Sequence, residues 1–221
     1  MFKMENIEKR FPMGEMVTYA LRDFSLEIDE GEFVAVEGPS GAGKTTFLNI
    51  AGLLDPMDSG KYFLAGEDVS SLSDKQRSHI RNERIGFIFQ GFNLIPDLTA
   101  ARNVELPLRL RGMAASERKK RVEESLEQVG LTSRAKHLPS KLSGGQQQRV
   151  AIARALAGEP SIILADEPTG NIDSEMASQI MEMLTSINSA GTTIVMVTHS
   201  PESAAVAKRR IEVRDGKIAD Q

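Results

Sequence analysis

The chain has 221 residues, with 27 Lys and Arg against 31 Asp and Glu for a formal net charge of −4, and no cysteine. One large domain, with or without a sub-domain, fits that length, and a content of 40% hydrophobic and 26% charged residues excludes wholesale disorder. The missing cysteine excludes a disulfide framework, a Cys-based zinc site and a thiol nucleophile, while the acidic balance argues against a nucleic-acid surface, which draws on a basic excess.

The opening MFKMENIEKRFP lacks a basic stretch followed by an apolar run, so no secretory signal is expected. Leu21–Ile28 alternates polar and apolar residues, Lys61–Leu64 does so more weakly, and Gly31 and Gly60 punctuate them. That period of two predicts an antiparallel sheet. Three short apolar runs, Phe33–Val36, Ile162–Ala165 and Thr192–Val197, lack alternation and are rich in β-branched residues. They read as strands covered on both faces. Helical patterns separate them, so the core sheet should be mainly parallel, with the antiparallel sheet layered on it.

From about 93 to 149 the character changes. Val122, Leu126 and Val129 recur at helical spacing beside the charged run Ser116–Arg121, which reads as a solvated face, and Gly130 is placed to stop that helix. Pro139 then breaks the chain before Leu142. The stretch is read as a mostly helical sub-domain inserted between core strands of one domain spanning 1–221. The longest apolar runs, SIILA and TIVMV, are far shorter than the ~20 residues that span a bilayer. The protein is therefore expected to be soluble and to reach any membrane through a partner.

Gly38, Pro39, Ser40, Gly41, Ala42, Gly43, Lys44 and Thr45 match the phosphate-binding pattern G-x-x-x-x-G-K-[ST], after one buried strand and before an expected helix, Thr46–Leu54. Glycines let the backbone wrap closely, so that N–H groups face phosphate oxygens, and the helix N-terminus adds partial positive charge. Lys44 would bring a full charge to the β- and γ-phosphates, and the Thr45 hydroxyl can ligate Mg²⁺. The strand 162–165 runs into Asp166 and Glu167, at the sheet edge where open α/β sheets bind ligands. Asp166 is placed to hold Mg²⁺, and Glu167 to orient or deprotonate an attacking water.

Leu142-Ser-Gly-Gly-Gln146 opens a further helix, whose apolar face is Val150, Ile152, Ala153 and Leu156. Ser143, Gly145 and Gln146 thus mark a second anion site. A single triphosphate is already cradled by the first loop. The economical resolution is a head-to-tail homodimer, in which this loop caps ATP held by the other copy.

Together, the phosphate loop, Leu142–Gln146, the strand with Asp166 and Glu167, Gln90 after IGFIF and His199 after TIVMVT resemble the nucleotide-binding ATPase of ABC transporters. The resemblance covers essentially the whole chain. The stretches Phe89–Leu108 and Leu164–Asp173 resemble the branch serving lipoprotein release, macrolide export and the related cell-division complex. It implies an α/β fold with a P-loop NTPase core, a mainly parallel sheet, an N-terminal antiparallel β sub-domain and an inserted helical sub-domain. It also implies hydrolysis of MgATP by a homodimer that drives an integral membrane permease in export or lipoprotein extraction, on the cytoplasmic face of the membrane. The alternative is a mechanical complex that transports nothing, as in cell division. A soluble ABC ATPase of DNA repair or translation is disfavoured, because long inserts, zinc cysteines and a second cassette are missing.

Residue by residue, the resemblance places Gln90 at Mg²⁺ or the water, sensing the membrane partner. His199 would bond the γ-phosphate and help position Glu167, whereas His79 and His137 read as structural. Asn171 and Asp173 would cross the dimer interface. Phe11 would stack on adenine, with Tyr19 as competitor. Phe92–Leu98 is apolar, contains Pro96 and is not helical in period. It is either a core loop or the place where a permease helix docks.

Overall fold

The computed structural model describes residues 1–14 and 16–219, with Met13 and Met16 described in their backbone only. The single unit expected over 1–221 includes 15, 220 and 221, which lie outside the described residues.

Two antiparallel strands open the chain, β1 (Phe2–Met13) and β2 (Met16–Ile28); β3 (Phe33–Glu37) then starts a second sheet and leads into α1 (Lys44–Ala51). β4 (Ser59–Leu64) and β5 (Glu67–Asp68) return to the first sheet, whose order is β2-β1-β4-β5. After α2 (Asp74–Arg84) and β6 (Ile85–Ile88) come α3 (Ala100–Leu110), α4 (Ala115–Gln128) and α5 (Gly144–Leu156). The remainder alternates through β7 (Ile162–Asp166), α6 (Ser174–Ser189), β8 (Thr193–Val197), α7 (Pro201–Ala204), β9 (Arg209–Arg214) and β10 (Lys217–Ile218). The second sheet has the order β10-β9-β3-β8-β7-β6 and is parallel from β9 to β6, with β10 antiparallel at its edge.

The apolar strands need cover on both faces because successive side chains point to opposite sides. Val34, Val36, Ile162, Leu164, Val195 and Val197 pack with α1 and the antiparallel sheet. Their alternates, including Phe33, Ala35, Ile163, Ala165, Ile194 and Met196, pack with residues of α3 to α6. α1 is pinned from above: Phe47 lies 5.1 Å from Phe24 ring to ring, and the buried Tyr62 hydroxyl donates to Ala51 O at 2.7 Å. The loop ahead of α1 therefore stands on a fixed support.

β1 is not among the segments predicted from a period of two, and it carries no clean one, since Asn6 has a left-handed φ of 51° and the register shifts around it. Two details differ from expectation. α1 ends at Ala51 rather than Leu54, because Gly52 abuts the Phe87 ring and Leu53 takes φ 55°. The charged run Ser116–Arg121 is only partly a solvated face. Lys119 and Lys120 are exposed, but Arg118 Nε donates to Glu105 at 2.7 Å and Arg121 pairs with Glu159, tying α4 to its neighbours. No helix among the described residues is long and apolar enough to cross a membrane.

Candidate nucleotide site

Strands β3, β8, β7 and β6 are adjacent and parallel, so their carboxyl ends share one edge. Along that edge the chain delivers the loop 38–43, then His199, then Asp166 and Glu167, then Gln90. This is the crevice where open parallel sheets receive ligands.

The first loop depends on glycine at two close approaches. A Cβ on Gly38 would stand 2.2 Å from Val213 O, and one on Gly43, at φ 103°, 2.4 Å from Ala20 O. Ser40 and Gly41 form its exposed crest, while Ala42 is buried beneath. Lys44, the first residue of α1, donates from Nζ to Gly38 O at 2.7 Å and Pro39 O at 2.9 Å, keeping its ammonium inside the loop. Thr45 is exposed and Thr46 half-buried on the same helical turn.

Asp166 closes β7 with its carboxyl raised above the usual carboxylate range, chiefly by burial and secondarily by the charge of Glu167, with Lys44 pulling the other way. Glu167 then takes φ 45° directly before Pro168, a backbone that sterics disfavour both for a side-chain-bearing residue and ahead of proline. Such a conformation costs about 1–3 kcal/mol and persists only where its surroundings over-determine it. Here its N–H donates to Val197 O at 2.9 Å and its carbonyl accepts Gly170 N–H at 3.0 Å. The carboxylate accepts from Thr198 Oγ1 at 3.0 Å on Oε2, and His199 Nδ1 lies 2.6 Å from Oε1. The Glu167 side chain is 13% exposed and that of His199 72% exposed, so the ring forms the solvent side of the pair.

Gln90 stands further along the edge, held by Asn171: Gln90 Nε2 lies 3.4 Å from Asn171 Oδ1, and Asn171 Nδ2 donates to Gln90 O at 3.0 Å. Asp173 caps α6, accepting Met176 N–H at 2.9 Å. Ser143 and Gln146 form a reciprocal capping box at the start of α5, an arrangement worth about 1 kcal/mol. Gly145 lies against Met176, and the nearest neighbours of Gly144 are Ile172, Asn171 and Phe92. Within one chain the second helix start therefore faces the 171–176 segment.

Phe11 and Tyr19 are both exposed. Phe11 pairs with Thr18 and Arg10 with Tyr19, so the two aromatics project from opposite faces of the ribbon. Tyr19 has guanidinium groups of Arg10 and Arg22 at 5.9 and 5.7 Å from its ring centre, and Phe11 has Lys9 Nζ at 5.4 Å.

Thr45, Gln90 and Asp166 offer oxygen donors only, which is the chemistry of Mg²⁺, an ion that keeps water and phosphate in most of its positions. Among the described residues no group of three or more His, Cys, Asp or Glu is arranged to hold an ion, so phosphate would have to complete the shell. These residues fit that ion.

Beside β6 lies an open groove of about 680 Å³, lined among others by Leu54, His79, Phe89, Leu106, Leu110 and Arg111. Of Phe92–Leu98 it takes only Asn93. The rest of that loop is turned about Asn103, whose fully buried amide bonds Ile95, Leu98 and Thr99. His79, read as structural, lines the groove and pairs with Glu83 at 3.4 Å; His137 lies 3.2 Å from Arg134. Sequence reasoning missed Thr198, Asn103 and Gln148. The signal for Gln148 was its place one turn from Ile152, on the apolar side of α5.

The ABC transporter family model matches residues 21–170. The chain is 50% identical over 218 residues to the uncharacterized ABC transporter ATP-binding protein YknY of Bacillus subtilis, covering 99% of this chain and 95% of that protein. It is 44% identical over 220 residues to the macrolide export ATP-binding/permease protein MacB of Marinobacter nauticus, covering 100% of this chain but 34% of the relative. The ATP-binding cassette MJ0796, a protein of Methanocaldococcus jannaschii, has a solved dimeric post-hydrolysis structure with ADP and Pi. That structure aligns at a TM-score of 0.91 and 47% identity, over 100% of this chain and 97% of that one. With the phosphate loop, the paired acids and the LSGGQ helix start in one parallel-sheet framework, the chain belongs to the ABC transporter family as an ATP-binding cassette subunit.

Proposed function

We propose that two copies of this chain hold MgATP between them head to tail and hydrolyse it to drive a membrane permease in export or lipoprotein extraction. One observation carries the reading: the edge that gathers the phosphate loop, Glu167 and His199 lacks the LSGGQ helix start, whose neighbours are Phe92, Asn171, Ile172 and Met176 of its own chain. A second copy supplies it. The dimeric MJ0796 structure supports this arrangement. Relatives named for macrolide export favour transport over the mechanical alternative, and the whole chain is taken as one domain with its helical part at 93–149.

The phosphates lie along Gly38–Thr46, and Phe11, whose ring is exposed, stacks on adenine. Lys44 exchanges its bonds to Gly38 O and Pro39 O for the β- and γ-phosphates. Thr45, Asp166 and Gln90 would hold Mg²⁺, whose charge would offset that of the phosphate oxygens. Ser143, Gly145 and Gln146 of the other copy cover the γ-phosphate, and closure excludes bulk water. Glu167, held by Thr198 and His199, orients a water and takes its proton as the water oxygen attacks phosphorus. The bond from the γ-phosphorus to the bridging oxygen breaks, releasing ADP and phosphate. Without the γ-phosphate to hold both copies, the dimer opens.

The permease partner enters the groove of Leu54, His79, Phe89 and Leu110, beside Phe92–Leu98, placing the chain on the cytoplasmic membrane face. The test is phosphate release as a function of protein concentration, over the range where light scattering finds monomer. The rate should rise more steeply than first order. Strict proportionality would overturn the two-copy site.

A further inference from the structure

Gln148 is fully buried on α5, and its Nε2 donates to Pro168 O at 2.7 Å. A carbonyl only accepts, so the amide nitrogen must face Pro168 and its orientation is settled. The other end, Oε1, is buried with no hydrogen-bond partner. For packing alone this is no gain: the amide pairs Pro168 O only by burying an unpaired oxygen of its own, where methionine or leucine would fill a similar volume. What the amide adds is a hold on the residue after Glu167, at a junction where Glu167 is left-handed immediately before proline. The bonds to Val197 and Gly170 restrain the backbone of Glu167 from the sheet side and from the following turn, while Gln148 restrains the junction from α5. The same helix begins at Ser143, Gly144 and Gly145.

We propose that Gln148 is a positioning residue: its amide ties the helix that caps the other copy's nucleotide to the strained Glu167–Pro168 junction of its own site. A shift of α5, as Ser143 and Gly145 engage a γ-phosphate across the dimer, is thereby felt at the carboxylate that handles water in the opposite site. The link from α5 to Glu167 lies within one chain and stands on its own. Its relay between sites rests on the head-to-tail dimer proposed above.

The test is Gln148→Met in the full chain, with Gln148→Leu as a second apolar filling. Loss of one buried hydrogen bond near a catalytic group should lower kcat about tenfold and leave KM for ATP within about twofold. The midpoint of thermal unfolding should change little, since the substitution removes the unpaired Oε1 but leaves Pro168 O without its donor. In the Glu167→Gln background the same substitution should lower the residual rate no further, because it acts through Glu167. Unchanged kcat, an equal fall in both backgrounds, or a fall seen only with a lowered unfolding midpoint would overturn the assignment. Failure of the dimer would read differently: Glu167→Gln protein would stay monomeric at saturating MgATP, while the kcat effect of Gln148→Met within one chain would remain.

Discussion

Thr198 Oγ1 and His199 Nδ1 reach the two oxygens of one carboxylate, that of Glu167, at 3.0 and 2.6 Å. Consecutive residues after β8 thus grip the acid that follows β7. Thr198 is fully buried, so Thr198→Val keeps its shape and removes the hydroxyl that donates to Glu167 and also accepts Ser200 N–H at 3.1 Å. Hydrogen bonds to charged groups are worth about 1.5–3 kcal/mol, or about 10- to 150-fold in rate if the whole loss falls on the transition state. We expect kcat to fall within that range with ATP affinity retained, measured by steady-state phosphate release and by equilibrium nucleotide titration.

Glu167→Gln keeps the shape of the side chain but cannot take the water's proton at neutral pH. Turnover should drop by about 10²–10⁴-fold, the usual worth of a positioned general base. Because the γ-phosphate then persists, the two copies should stay together. Light scattering with saturating MgATP reads a dimer if this is right, and wild-type turnover in this variant would remove Glu167 from the water.

Lys44 needs no rearrangement of α1 to meet a phosphate, since its ammonium already lies among loop carbonyls at 2.7 and 2.9 Å. Lys44→Ala should therefore weaken ATP binding itself, by about tenfold or more for one lost charge-assisted contact. Titration at equilibrium checks this, and unchanged affinity would count against the loop as the phosphate cradle.

The groove beside β6 carries its most exposed apolar side chain at Leu110, which is 74% exposed. A change there should spare the fold, because surface substitutions usually cost within ±0.5 kcal/mol. Leu110→Asp puts a charge into a surface proposed to bury against an apolar partner segment. Co-purification of the permease from a membrane extract should fall sharply while the unfolding midpoint holds.

Much of this was legible in the sequence because the signals were local. A glycine loop between strand and helix, an acid pair after an apolar strand and a serine-led helix start each carry their own geometry. β1 was not legible, since the irregularity at Asn6 shifts its alternation partway along. Less local is the groove beside Phe92–Leu98: the Asn103 amide folds that loop on itself, and of its residues Asn93 lines the groove. The rest of the groove draws on α2, β6 and α3, which only the fold brings together. Gln148 escaped for the opposite reason, because a glutamine in a polar run reads as surface until α5 is packed.

Asp166 separates stability from function. Its carboxyl is raised by burial and by the neighbouring Glu167 charge, so the ionised form is less favoured in the fold than in the unfolded chain. A raised carboxyl adds stability only at low pH, and that contribution is lost as pH rises through its folded value. At neutral pH, Asp166→Asn should therefore raise the unfolding midpoint of the nucleotide-free protein, on the order of a few degrees. The amide cannot replace a carboxylate toward Mg²⁺, so MgATP should stabilise the variant less than the wild type, and turnover should collapse. Calorimetry with and without MgATP reads both effects in one experiment. A lower midpoint for the nucleotide-free variant would mean that Asp166 is held for the fold rather than for the cation.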